Sequence, residues 1–205
     1  MARLALNPCG PVGKVVSSPS RYWYPNLYAD VCLCRNPDAV ITMSGADKEI
    51  AAGERKLADM DFKAALSKFK RAIKLDPKAP EAHFGKAEAA LGVPKIPVEE
   101  VLNDYQEAIA LDPANPFYLA RLGSFSLEVG QWEMAEEAYN RAAEADPDNA
   151  YLYYSEFGLE YYYSWLAKHG EGAAQDDIEP VQRKCLVYLV RSLDLDEAAA
   201  KRLLN

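Results

Sequence analysis

The segment Ala72-Ile73-Lys74-Leu75-Asp76-Pro77 returns twice in similar form, as Ala108-Ile109-Ala110-Leu111-Asp112-Pro113 and as Ala142-Ala143-Glu144-Ala145-Asp146-Pro147. The three prolines stand 36 and 34 residues apart. A recurrence at that period restricts the fold sharply. A unit so short cannot bury its apolar face alone, so successive units must stack and share a continuous core. Proline cannot continue the helical hydrogen-bond ladder, so each copy of the motif marks a helix end. The residues before it are rich in Ala, Glu, Lys and Leu, with apolar positions at helical spacing.

Each unit carries further matching positions. The unit 116–149 has Leu122-Gly123, Ala135, Tyr139, Ala142 and Pro147; the unit 46–79 has Gly53, Ala65, Phe69, Ala72 and Pro77; the unit 80–115 has Ala87, Tyr105, Ala108 and Pro113. Small residues let the two helices of a pair approach, and the aromatic fills the space beside them. The two extra residues of the middle unit are expected in the loop-forming run Gly92-Val93-Pro94-Lys95-Ile96-Pro97. In period, helix-turn-helix pattern and terminal proline, the sequence resembles the tetratricopeptide repeat (TPR) family. That resemblance implies an all-α superhelix of stacked helix pairs.

A stretched fourth unit is expected over 150–195. Phe157-Gly158 and Tyr161 mark its start, and Arg191-Ser192-Leu193-Asp194-Leu195 its end. The surplus lengthens its first helix to about 168 and adds a loop over Gly170–Asp177, with Asp177 starting the next helix three residues before Pro180. Residues 196–205 read as a short capping helix.

The repeat region begins near residue 44, where Ser44 and Asp47 make a helix-start signal. Residues 1–45 form an irregular extension with four basic and two acidic residues, against 19 basic and 29 acidic in the remainder. Met43-Ser44-Gly45-Ala46 would also make an ordinary start, so residues 1–42 read either as a native extension or as an over-long reading frame. In the former case Arg21-Tyr22-Trp23-Tyr24-Pro25-Asn26-Leu27-Tyr28 is an aromatic docking segment. The acidic body disfavours nucleic acid and anionic membranes as partners. No apolar run is long enough to span a bilayer, and the start MARLALNPCGP lacks a secretory apolar core, so a cytoplasmic protein is expected.

The repeat region shows no phosphate loop, nucleophile elbow or metal-helix motif, so the chain is expected to be non-enzymatic and to carry no cofactor. His83 reads as a helix-packing residue and His169, before Gly170, as a helix C-terminal one. Cys185 falls in the small-residue slot shared with Ala65, Val101 and Ala135, a core position. Cys9, Cys32 and Cys34 leave open a second function, a metal- or redox-responsive regulator, although one Cys-x-Cys pair and a lone cysteine fall short of the paired spacing of structural zinc sites.

The TPR resemblance makes the first helix of each unit the lining of a concave groove. Helical spacing then puts Asp47, Ile50, Glu54 and Leu57 there from the first unit, and Glu81, Phe84 and Glu88 from the second. The third gives Phe117, Arg121 and Ser124, and the fourth Tyr151, Tyr154 and Tyr162 from a run of six tyrosines over 151–163. Those tyrosines serve either the groove or packing within the enlarged unit. Co-chaperone members of the family grip a chaperone's C-terminal carboxylates with Lys and Asn, Asn, and Lys and Arg. The matching slots here hold Ile50 and Glu54, Gly85, and Phe117 and Arg121, so only Arg121 agrees. Heat-shock chaperone tails are therefore expected to be unsuitable, and a segment with basic and apolar residues suitable. The leading expectation is an interaction scaffold acting as adaptor or assembly factor; an accessory subunit bound through its convex face is the third reading.

Overall fold

The computed structural model describes residues 43–170 and 174–193. The described residues all fall in one unit, Thr42–Asn205. The expectations for the extension, with its aromatic segment and Cys9, Cys32 and Cys34, and for a capping helix over 196–205 lie outside the described residues.

The described residues form eight α-helices and no strand: α1 Gly45–Ala58, α2 Phe62–Leu75, α3 Pro80–Leu91, α4 Val98–Leu111, α5 Pro116–Val129, α6 Trp132–Ala145, α7 Ala150–His169 and α8 Gln175–Ser192. Local chemistry sets the boundaries. Ser44 and Asp47 make a reciprocal capping box at α1: the Asp47 N–H donates to Ser44 Oγ at 3.0 Å and the Ser44 N–H to Asp47 Oδ2 at 2.8 Å. Asn115 caps α5 by accepting from the N–H groups of Phe117 and Tyr118. Pro80 and Pro116 occupy first-turn positions, where no N–H is needed.

The recurring Asp-Pro pair ends the second helix of each regular unit. Asp76, Asp112 and Asp146 leave the helical conformation (φ −140°, −136° and −134°), as a residue before proline prefers. Their carboxylates then fasten the loop: Asp76 accepts from the Lys78 N–H, Asp112 from Asn115 Nδ2, and Asp146 from Asn149 Nδ2 and the Tyr153 hydroxyl.

Glycine makes room for the aromatic wedges of α2 and α6. The Phe69 ring lies so close to Gly53 and Gly85 that added Cβ atoms would sit 2.8 and 2.2 Å from it; Tyr139 fills the same space at Gly123, 2.6 Å from an added Cβ. Phe69, Tyr105 and Tyr139 are fully buried at matching places in successive units. Around them run three apolar clusters, one in α1–α3, one bridging α3–α6 and one joining α5–α8.

The last pair differs from expectation at its second helix. α8 opens at Gln175, so Asp177 lies in its first turn rather than at its cap, and Pro180 is inside the helix. Asp176 and Asp177 complement the positive end of the helix dipole there, offsetting the single hydrogen bond that Pro180 forgoes. Cys185 is a buried free thiol, and the α7 backbone at Gly158 lies against its carbonyl. A polar knot ties α8 to α6: the Tyr188 hydroxyl donates to Glu136 Oε1 at 2.8 Å and accepts from Asn140 Nδ2, while Lys184 pairs with Glu136 Oε2 at 2.7 Å. No described helix is long and apolar enough to cross a membrane.

Candidate functional site

The groove follows from which helices touch. The first helices of successive pairs lie closest, α1 on α3 and α5 on α7, whereas the second helices stand further apart, α6 and α8 meeting through the long side chains of the Glu136, Lys184 and Tyr188 knot. A stack held closer along one edge curves towards that edge, so α1, α3, α5 and α7 line its concave side.

The predicted residues fare unequally along that surface. Ile50, Leu57 and Phe84 are only 6%, 8% and 8% exposed and belong to the core. The correction has a simple cause: a first helix has two packing neighbours, its own second helix and the next unit, so its apolar positions turn inward. Asp47 is exposed and is spent on the α1 capping box. Glu54 and Glu81 face each other across α1 and α3. Burial, then the Glu81 charge, hold the Glu54 carboxyl above its usual range.

Glu88 and Arg121 come together. Arg121 donates through Nε and Nη2 to the two carboxylate oxygens of Glu88, each at 2.9 Å, and the Tyr105 hydroxyl donates to Glu88 Oε1 at 2.6 Å. Below this knot the Phe84 ring stacks on Tyr118 at 4.7 Å and meets Phe117 at 5.2 Å. Phe117 remains 47% exposed. Ser124 and Glu156 stand beside the Tyr139 hydroxyl.

The tyrosines of α7 divide between both uses. Tyr154 packs on Tyr188 of α8, Tyr161 meets Trp132 edge-on, and Tyr153 bonds Asp146. Tyr162 is half-buried against the same core, whereas Tyr151 is exposed. Sequence reasoning missed an exposed stripe at helical spacing: Leu152, Leu159 and Tyr163, with Glu156 between them. The spacing 152, 156, 159, 163 is the sequence signal for it.

Both histidines have structural partners. His83 Nε2 donates to the Pro77 carbonyl at 3.0 Å; His169 Nδ1 donates to the Trp165 carbonyl and stacks on its ring at 4.1 Å. Among the described residues no group of three His, Cys, Asp or Glu side chains is placed to hold a metal.

These features define a class, a helical-repeat scaffold with a concave face. The fold is that of the tetratricopeptide-repeat superhelix, and the chain is similar to tetratricopeptide-repeat proteins. A stretch of 110 residues is 27% identical to Small glutamine-rich tetratricopeptide repeat-containing protein 2 of Mycosarcoma maydis, covering 54% of this chain and 31% of that protein. Another of 106 residues is 28% identical to Hsp70-Hsp90 organizing protein 2 of Arabidopsis thaliana, covering 52% and 18%. The match thus spans less than a third of either relative. Among solved structures, MamA superposes with a TM-score of 0.58 at 19% identity, over 77% of this chain and 81% of that one. The first TPR of Spaghetti (RPAP3) bound to the HSP90 peptide SRMEEVD superposes with a TM-score of 0.51 at 20% identity, over 61% and 94%. No protein-family model matches the chain.

The comparisons overturn the exclusion of chaperone tails. That exclusion rested on the four clamp slots that depart from the co-chaperone pattern, yet similar proteins include one named for organizing Hsp70 and Hsp90 and one solved with an HSP90 peptide in place.

Proposed function

We propose that this chain is a non-enzymatic interaction adaptor, working in the cytoplasm, that holds a segment of a partner protein along α1, α3, α5 and α7. The observation that carries this is Phe117, an aromatic ring left half-exposed on the groove side between the buried Phe84 and solvent. Such a ring offers contact area at low entropic cost and is the type of side chain on which binding energy concentrates. Arg121, one helical turn on, supplies the cation that a carboxylate-bearing segment would need, with Glu88 as its intramolecular competitor.

The relatives make a chaperone C-terminal tail the first partner to test. Calorimetric titration of SRMEEVD into the full chain, and into Phe117→Ala and Arg121→Ala, tests both levels. Binding weakened by both substitutions supports the tail. If SRMEEVD is not bound, immobilised wild-type and Phe117→Ala chains decide the broader reading: a cellular protein held by the first and lost from the second supports the groove, and equal retention overturns it.

A further inference from the structure

The second helices carry their charges in blocks. α2 holds Lys63, Lys68, Lys70, Arg71 and Lys74 and no acidic residue. Lys68 pairs with Glu49 at 3.1 Å, but Lys63, Lys70, Arg71 and Lys74 are exposed, with no ion-pair partner among the described residues. Their spacing puts them on one face of the helix, over about 16 Å.

Some of the same positions reverse sign elsewhere in the array, although Asn140 and Arg141 of α6 stand at the places of Lys70 and Arg71. Seventy residues on, α6 holds Glu133 at the place of Lys63, Glu137 at that of Ser67 and Glu144 at that of Lys74, all exposed and likewise unpaired among the described residues. α4 has Glu99 and Glu107 at the places of Lys63 and Arg71. α2 and the exposed Glu133, Glu137 and Glu144 of α6 are complementary in charge and span similar lengths, and the two helices do not touch within one chain.

We propose that the basic face of α2 docks on the acidic face of α6 in a second copy of this chain. Antiparallel alignment sets Lys63 opposite Glu144 and Lys74 opposite Glu133. Each copy carries a formal net charge of −8, so two bodies repel as they would nucleic acid or anionic lipid, and the attraction is confined to the two stripes, where another copy presents glutamates at matching spacing. The contact joins two different patches, so it is heterologous: a joined pair keeps one patch of each sign open, one on each copy, and assembly continues into a ring or an open row. Exposed charge pairs are individually weak, so the association is modest and strongly salt-dependent.

Sedimentation velocity of the full chain over a concentration series tests this. The expected result is a rise in sedimentation coefficient with concentration at low salt, lost at about 1 M salt, where charges are screened beyond roughly 3 Å. Lys63→Glu/Lys70→Glu and Glu137→Lys/Glu144→Lys variants should each stay monomeric, with helicity checked by circular dichroism. Mixed in equal amounts, they should associate again, because each then offers the charge the other lacks. A wild type that stays monomeric at low salt overturns the proposal. So does a mixture that does not associate, or a wild type that ignores its own copies yet binds anionic phospholipid vesicles or single-stranded RNA through α2.

Discussion

Arg121 and Glu88 are joined by two parallel hydrogen bonds of 2.9 Å, and the pair links α5 to α3 at the point where the groove passes from the second unit to the third. Tyr105 closes the arrangement from α4 through its 2.6 Å bond to the same carboxylate. The pair has two consequences that one substitution separates. Glu88→Gln removes the countercharge yet keeps an acceptor for Tyr105. We expect it to cost about 1.5–3 kcal/mol in urea unfolding, the scale for a hydrogen bond to a charged group. It should also raise affinity for SRMEEVD by about two- to fivefold, because Arg121 no longer has to leave a partner. An affinity that falls with Glu88→Gln would show that the pair positions Arg121 rather than competing for it.

Gly85→Ala should destabilise the fold, against the usual gain of roughly 0.5–1 kcal/mol for that exchange in a helix. The added Cβ would lie 2.2 Å from the Phe69 ring, which is buried between α1, α2 and α3 and has little room to withdraw. Overpacking of this kind costs about 1–3 kcal/mol. Combining Gly85→Ala with Phe69→Leu should recover part of the loss relative to the sum of the single variants, measured as a double-mutant cycle in denaturant.

The repeat architecture was legible because its signals are local: Asp-Pro stops, small residues opposite aromatics and a capping box each act over a few residues. The middle unit's loop over 92–97 separates α3 from α4 for the same reason, since glycine and two prolines interrupt the helix. The groove was less legible because exposure depends on neighbours. Ile50 and Leu57 satisfy the spacing of a groove face and are nonetheless drawn into the core around Phe69. The Arg121–Glu88 pair spans 33 residues, and nothing in the local pattern announces it. The start of α8 was misplaced by reading Pro180 as a first-turn residue, when two aspartates before it begin the helix.

Glu54 makes stability depend on pH in a testable direction. Its carboxyl is raised above 4.5 in the fold, first by burial and then by the charge of Glu81. A raised folded value means that the folded state holds the proton more tightly than the unfolded chain does. The resulting stability is present in full below the unfolded value and is lost as pH rises through the folded one. Glu54→Gln should therefore melt higher than wild type at about pH 7, with the gap closing towards about pH 4. A gap that widens on acidification would mean that Glu54 is stabilised as the anion.

Phe117 and Tyr154 were both expected to contact a partner, and their surroundings now predict opposite outcomes. Phe117 is 47% exposed and meets Phe84 from the solvent side, so Phe117→Ala removes little buried area. Its cost should stay within about 1 kcal/mol. Tyr154 is half-buried, with its ring 6.0 Å from that of Tyr188, which also bonds Glu136 and Asn140 of α6. Tyr154→Ala should loosen the packing of α7 on α8 and cost about 2–4 kcal/mol, while leaving groove affinity near wild type at temperatures where the chain is folded. Thermal unfolding and partner titration on the two variants give four numbers, and the groove reading requires a crossed pattern: binding lost with stability kept in Phe117→Ala, and the reverse in Tyr154→Ala. Loss of binding in Tyr154→Ala without loss of stability would move the contact surface towards α8 and away from the groove.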